Sequence, residues 1–152
     1  MPNVTQYRQG GPATWEVAEA VTGGLFVEGR TGSKIGVAAA GSTKSLGVAL
    51  ADAAPKGADY TVPTQPGGAG TQWNLNSGRL LPAHVAVAYA GTEVKAKFSA
   101  NAAFGDLLVI TAGGTVAPAG AAPDARTIVG RCTEPGGVVF ATSPYGFVRI
   151  GN

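Results

Sequence analysis

The sequence predicts an all-β fold: a compact sandwich or barrel-like domain with two similar β halves, little helix and an extended N-terminal arm. Three observations carry that prediction. A unit built from a Gly-led strand, a Gly-rich turn and a glycine-broken strand occurs twice. Its first copy reads Gly23-Gly24-Leu25-Phe26-Val27-Glu28, then Lys34-Ile35-Gly36-Val37, then Ser45-Leu46-Gly47-Val48-Ala49. Its second reads Gly105-Asp106-Leu107-Leu108-Val109-Ile110, then Gly113-Gly114-Thr115-Val116, then Ile128-Val129-Gly130-Arg131-Cys132. The copies stand 82 residues apart at the first strand (Leu25 to Leu107) and 83 at the broken one (Gly47 to Gly130). Two copies at so long a period suit duplicated halves of one body better than a solenoid. Composition is the second observation: 24 Gly and 10 Pro among 152 residues favour short strands and many turns. The third is period-two alternation, as in Glu93-Val94-Lys95-Ala96-Lys97-Phe98, where the apolar residues share one face and the charges the other.

In chain order, residues 1–13 show no periodicity and end in the breaker Gly10-Gly11-Pro12, which makes them an arm. Such an arm is either a frayed terminus or a segment ordered on a neighbouring subunit, and Tyr7 and Arg8 are residue types enriched at interfaces. A short strand follows from Thr14, with Trp15 and Val17 on one face and Glu16 opposite. Residues 25–28, 34–40 and 44–50 read as strands between Gly-containing turns. A Pro/Gly-rich crossover over 53–82 then joins halves at about 14–52 and 83–150, so that 14–152 form a single β domain. Trp73 stands out there, plugging a core edge or anchoring a subunit contact or ligand. The second half opens with what reads as a hairpin, 84–89 and 93–98 around Ala90-Gly91-Thr92. Later strands fall near 107–111, 126–132, 137–142 and 146–150, with a tight type I turn at Ser143-Pro144-Tyr145-Gly146.

Composition also limits function. A chain of 152 residues can bury roughly 70% of its unfolded surface in one core. Charged residues make up 13% of it, against roughly 25% in ordinary domains, so its surface is largely small and neutral and suits close assembly. The eleven basic residues are scattered from Arg8 to Arg149 with no patch, which argues against nucleic acid. No window has the apolar length of a membrane span, and the N-terminus lacks a basic segment followed by an apolar one, so no membrane partner and no export are expected.

No enzyme, cofactor or metal is expected either. The sole His84 and sole Cys132 lack the further ligands of a metal site, and Cys132 lies in an apolar strand where a packing role is expected. The four Asp residues, Asp52, Asp59, Asp106 and Asp124, adjoin Gly, Ala or Pro as turn formers do. Gly67-Gly68-Ala69-Gly70 lacks the Lys-Ser/Thr and following helix of a phosphate loop.

The order of these motifs resembles the small decoration, or cement, proteins that coat tailed-phage capsids. Gly23-Gly24-Leu25-Phe26-Val27, Ile35-Gly36-Val37-Ala38 and Leu46-Gly47-Val48-Ala49 look like that family's opening. Gly105-Asp106-Leu107-Leu108, an Ala-Pro stretch, Thr127-Ile128-Val129-Gly130-Arg131-Cys132 and Phe147-Val148-Arg149-Ile150 look like its ending. The family usually has Ala where this chain has Cys132, and the insert from Pro55 to Arg79 departs from its leanest members. The resemblance implies a structural virion protein, made in the bacterial host cytoplasm, that binds the major capsid protein on the outer capsid surface. It further implies a homotrimer that stabilises the shell by bridging capsid subunits. Tyr7, Arg8, Trp15 and Trp73 are the residues expected at capsid or subunit contacts. The competing reading is a carbohydrate- or host-surface-binding β module, with Trp15, Trp73 and Tyr145 stacked on a ligand.

Overall fold

The computed structural model describes residues 11–56 and 81–151, which form ten short strands and two single 3-10 turns, Ala112–Gly114 and Ala125–Thr127. Strands β1 (Ala13–Val17), β2 (Phe26–Arg30), β3 (Lys34–Val37), β4 (Ser45–Ala49) and β5 (His84–Ala88) close into a barrel in the order β1-β3-β2-β4-β5. Strands β6 (Glu93–Lys97), β7 (Leu107–Ile110), β8 (Val116–Pro118), β9 (Ile128–Cys132) and β10 (Tyr145–Ile150) form a second sheet in the order β6-β10-β9-β7-β8. Its edges meet at the parallel bridge Phe98↔Val116, so it follows the same closed course as the first.

The two halves match strand for strand. Gly24 and Gly105 stand 81 residues apart, take φ of 87° and 89°, and donate their N–H groups to the equivalent carbonyls of Ala49 and Cys132. Parallel contact Val17↔Ile35 recurs as Phe98↔Val116, and Val27↔Val37 recurs as Leu108↔Pro118. In the third strand Val27↔Gly47 recurs as Leu108↔Gly130, and both pairs adjoin a bulge. The hairpin offset is therefore 81, which corrects the 82 read from aligning Leu25 with Leu107; the offset of 83 at the broken strand stands. Similarity of side chains misled by one residue, because the bulge and the left-handed glycines, not the leucines, set the register.

The repeat also extends further than 23–50 and 105–132. The pairing Trp15↔Val85 recurs as Ala96↔Gly146, so β1 and β5 have counterparts in β6 and β10. Segments 84–89 and 93–98 consequently do not form a hairpin: β5 pairs with β1 and β4, while β6 pairs with β10. The turn at Ala90-Gly91-Thr92 joins the halves, because β5 belongs to the first barrel; most of the stretch read as a crossover, 53–82, lies outside the described residues. Two local readings also change. Residues 137–142 form turns with one bridge, Ala102↔Val138, and Tyr145-Gly146 belong to β10, the turn falling instead at Val139–Ser143.

Period-two alternation fills both interiors from equivalent positions. The first holds Val17, Val21, Val27, Ile35, Ala49, Ala53, Val85 and Val87. The second holds Phe98, Ala102, Leu108, Val116, Cys132, Val138 and Val148, with Gly146 where the first has Val85. The exchange of Val17/Val85 for Phe98/Gly146 conserves volume: a methyl on Gly146 would strike Val138 and lie 3.4 Å from the Phe98 ring. Cys132, wholly buried, takes the place of Ala49.

Phe26, Val48 and Ala88 alternate with the first interior and so point out of it. They join Ala38 in the buried cluster of the second half, together with Ala96, Ile110 and Ile150 at that half's near end. The N–H of Lys97 donates to the Gly24 carbonyl at 2.8 Å and that of Gly41 to the Ile110 carbonyl at 2.9 Å across the same seam.

The broken strands now have a physical reason. A methyl on Gly47 or Gly130 would collide with the carbonyl oxygen of Ala88 or Arg149 on the adjoining strand. Because the obstacle is backbone, Gly130→Ala is expected to cost about 3 kcal/mol or more, lowering the melting temperature by roughly 6–12 °C. Cys132→Ala, which adopts the residue at the equivalent position, should cost on the order of 1 kcal/mol. Thermal melts of both variants check the contrast; equal losses would contradict it.

Candidate interaction surfaces

Reactive side chains do not converge among the described residues. Cys132 is buried in β9, and that burial pushes its thiol up, away from the reactive thiolate. His84 is exposed at the start of β5, opposite Glu16 on β1. No group of three His, Cys, Asp or Glu residues that could hold a metal occurs among the described residues. Asp106 and Asp124 act as turn formers, accepting from the N–H groups of Ala103 (2.8 Å) and Arg126 (3.0 Å), whereas Asp52 accepts from the distant Gly23 N–H (2.8 Å) and so ties the stretch after β4 to the turn before β2; Asp59 lies outside the described residues.

Of the aromatic and basic residues expected at contacts, Trp15 alone lies within the described region; Tyr7, Arg8 and Trp73 lie outside it. Trp15 is half-buried against the first interior, and its indole N–H donates to the Tyr89 hydroxyl. With Leu46 these residues close the end of the first barrel. Tyr145 is set apart from this group, on β10 with its ring against Gly24, where an added methyl would come within 2.9 Å. The two aromatics do not share one open platform.

The first half also carries a buried carboxylate. Glu28, 7% exposed on β2, accepts from the Ser42 hydroxyl, the Arg30 guanidinium and the Ala39 N–H (3.3 Å). Arg30 in turn donates to the Val37 carbonyl at 2.8 Å and to Glu19 at 3.3 Å. The bond from Ser42, with those from Arg30 and Ala39, holds the Glu28 carboxyl below its usual range against the opposing effect of burial.

Two surfaces of the second half are uncovered among the described residues. At one end, Phe104 (65% exposed) and Val139 border an open groove of about 440 Å³ lined also by Ala103, Pro135 and Gly136 among others. On its outer sheet face, β6, β10 and β9 bring together Lys95, Lys97, Arg131, Arg149, Tyr145 and Phe147. The Lys95 ammonium sits 5.2 Å from the centroid of the Phe147 ring. Sequence reasoning missed this face, because residues some fifty positions apart become neighbours only through the β6–β10–β9 pairing.

The sequence matches no protein-family model and no curated protein. Among solved structures, the fold is similar to the crystal structure of the N base of the head fiber gp8.5 in bacteriophage phi29, with a TM-score of 0.55 and 16% identity. The likeness covers 93% of this chain and 93% of that one, so it takes in both barrels.

The Glu28 cluster yields a pH prediction. Its folded pKa is depressed, so its contribution to stability is present above the ordinary carboxylate value of 4.5 and is lost as pH falls through the lower folded value. Glu28→Ala, which strands Arg30, Ser42 and the Ala39 N–H, is expected to cost about 1–3 kcal/mol at neutral pH. Melting temperatures from pH 7 to pH 3 should fall more steeply for the natural chain than for the variant. Parallel curves would remove Glu28 from the account.

Proposed function

We propose that this chain is a structural protein of a phage virion, without enzymatic activity, that sits on the outside of the head and braces neighbouring capsid subunits, as a homotrimer. The observation that carries this reading is the full-length likeness of the two-barrel body to the base of a phage head fiber. The motif order that resembles capsid decoration proteins points the same way. The physical make-up is compatible with it. A chain with 13% charged residues presents a small, neutral surface suited to close contact. Three modest contacts joined in one trimer reinforce each other through effective concentration, so no single contact has to be strong.

The N-terminal residues are assigned the reaching role, with Tyr7 and Arg8 as contact residues. Ordering such a segment on a partner costs roughly 1–2 kcal/mol per residue, which contacts on that partner must offset. Deleting residues 2–11 is therefore expected to weaken attachment to undecorated heads strongly while leaving the melting temperature of the isolated protein nearly unchanged. Electron microscopy and pull-down with such heads, beside a thermal melt, provide the check. Equal attachment by the truncated protein would remove the arm from the mechanism, and no attachment by the intact protein would remove the capsid.

A further inference from the structure

Arg131 on β9 and Arg149 on β10 are directly opposite each other in an antiparallel pair, both exposed and neither in a salt bridge among the described residues. Like charges in that position repel and destabilise the strands that hold them. The residues that flank the pair set its limits. On β6, Glu93 lies opposite Arg149, and on β7, Leu107 lies opposite Arg131. Beside Arg131 a groove of about 300 Å³ is lined by Leu107, Ala125, Ile128 and Gly151.

The internal duplication adds a second observation. Arg131, Arg149 and Leu107 occupy the positions that Val48, Ala88 and Phe26 occupy in the first half, as the shared pairings of β4–β5 with β9–β10 and of β2–β4 with β7–β9 require. In the first half those residues are the face on which the second half docks. The second half presents the same strands with two guanidinium groups in place of two apolar side chains, and among the described residues nothing covers them.

We infer that this face is a docking site for an acidic segment of another protein, with an Asp or Glu carboxylate held by Arg131 and Arg149 and an adjoining aliphatic residue in the groove beside Leu107 and Ile128. Paired guanidinium groups present forked donors that match a carboxylate and give it directed, charge-assisted bonds. A carboxylate between them also removes their mutual repulsion. Nucleic acid or a sulfated glycan fits less well: the two guanidinium groups are flanked by Glu93 on one side and by an apolar groove on the other, and the remaining cations of the face, Lys95 and Lys97, stand beyond Glu93 with Lys95 engaged over the Phe147 ring. A polymer with a charge on every unit would place anions against Glu93 and against the groove. The inference does not depend on the virion reading, since it concerns the isolated chain and the chemistry of its ligand.

The test is an NMR titration of the full-length, isotope-labelled chain with four probes: a decapeptide of Glu and Leu, its Gln and Leu counterpart, a thymidylate dodecamer and a heparin oligosaccharide. The acidic peptide is expected to shift the amides of Leu107, Ile128, Arg131 and Gly151 saturably. Binding should weaken by about tenfold or more with the Gln peptide, and equally in the double variant R131Q/R149Q, since each removes the charge-assisted bonds. Thermal melts supply a readout that a purely structural pair would move the other way: R131Q should leave the melting temperature unchanged or raise it at low salt, because Arg131 stands between Leu107 and Arg149 and its loss relieves a like-charge pair without removing an opposite charge. Absence of saturable binding, equal binding by the Gln peptide or by the double variant, binding of thymidylate or heparin alone, or a melting temperature lowered by several degrees in R131Q would each overturn the proposal.

Discussion

Phe26 lies outside one barrel and inside the core of the other, and the architecture depends on that double membership. Period-two alternation on β2 sends Val27 inward and Phe26 outward, so the first barrel offers an apolar face of Phe26, Val48 and Ala88 that it cannot bury alone. The second barrel, with Ala96, Ile110 and Ile150 at its near end, supplies the cover. Close approach is made feasible by Gly114: a methyl there would come within 2.6 Å of the Phe26 carbonyl oxygen. Burying a side chain of this size stabilises by roughly 1.5–3 kcal/mol. That term is available only when both halves are folded, which couples their stabilities.

Each departure from exact repetition follows from the unequal surroundings of the halves. The first barrel's end must be closed by its own side chains, and it carries the large set Trp15, Leu46 and Tyr89, with two polar atoms satisfying each other. The equivalent end of the second is closed by its neighbour and carries the smaller set Ala96, Val129 and Ile150. Conversely, the outward face that is apolar in the first barrel bears Arg131 and Arg149 in the second. A head-to-tail repeat with identical faces would continue into a filament; making both terminal faces unlike the internal ones stops it at two, as capping repeats do in solenoids.

Much of the strand content was legible, because alternation and glycine punctuation are local signals. Val94, Ala96 and Phe98 are partly or fully buried, and Glu93 and Lys95 exposed, as their spacing implies. Pairing was far less legible. The parallel contact of β1 with β3 and the pairing of β1 with β5 join segments that are not neighbours in the chain, and no local signal reports them. The turn at Ala90-Gly91-Thr92 has the chemistry of a hairpin yet links two barrels, since its flanking strands find better partners elsewhere. Strand β8, ending in Pro118, escaped notice for the reverse reason: three residues are too few to show a period.

The candidate sites divide along the same line. Cys132 was readable as a packing residue because its strand context is local, and its equivalence to Ala49 supplies the physical reason. Arg131 and Arg149 could not be read as a pair, since their eighteen-residue separation brings them opposite each other only once β9 and β10 are in register. Among the described residues, the second barrel leaves a cationic face and an apolar end around Phe104 uncovered, while the first barrel's outward face is consumed by the seam. A duplicated body can thus spend one copy of a sticky face on its own cohesion and leave the other to diverge. Arg131 and Arg149 stand where repeat symmetry leaves strands without cover among the described residues.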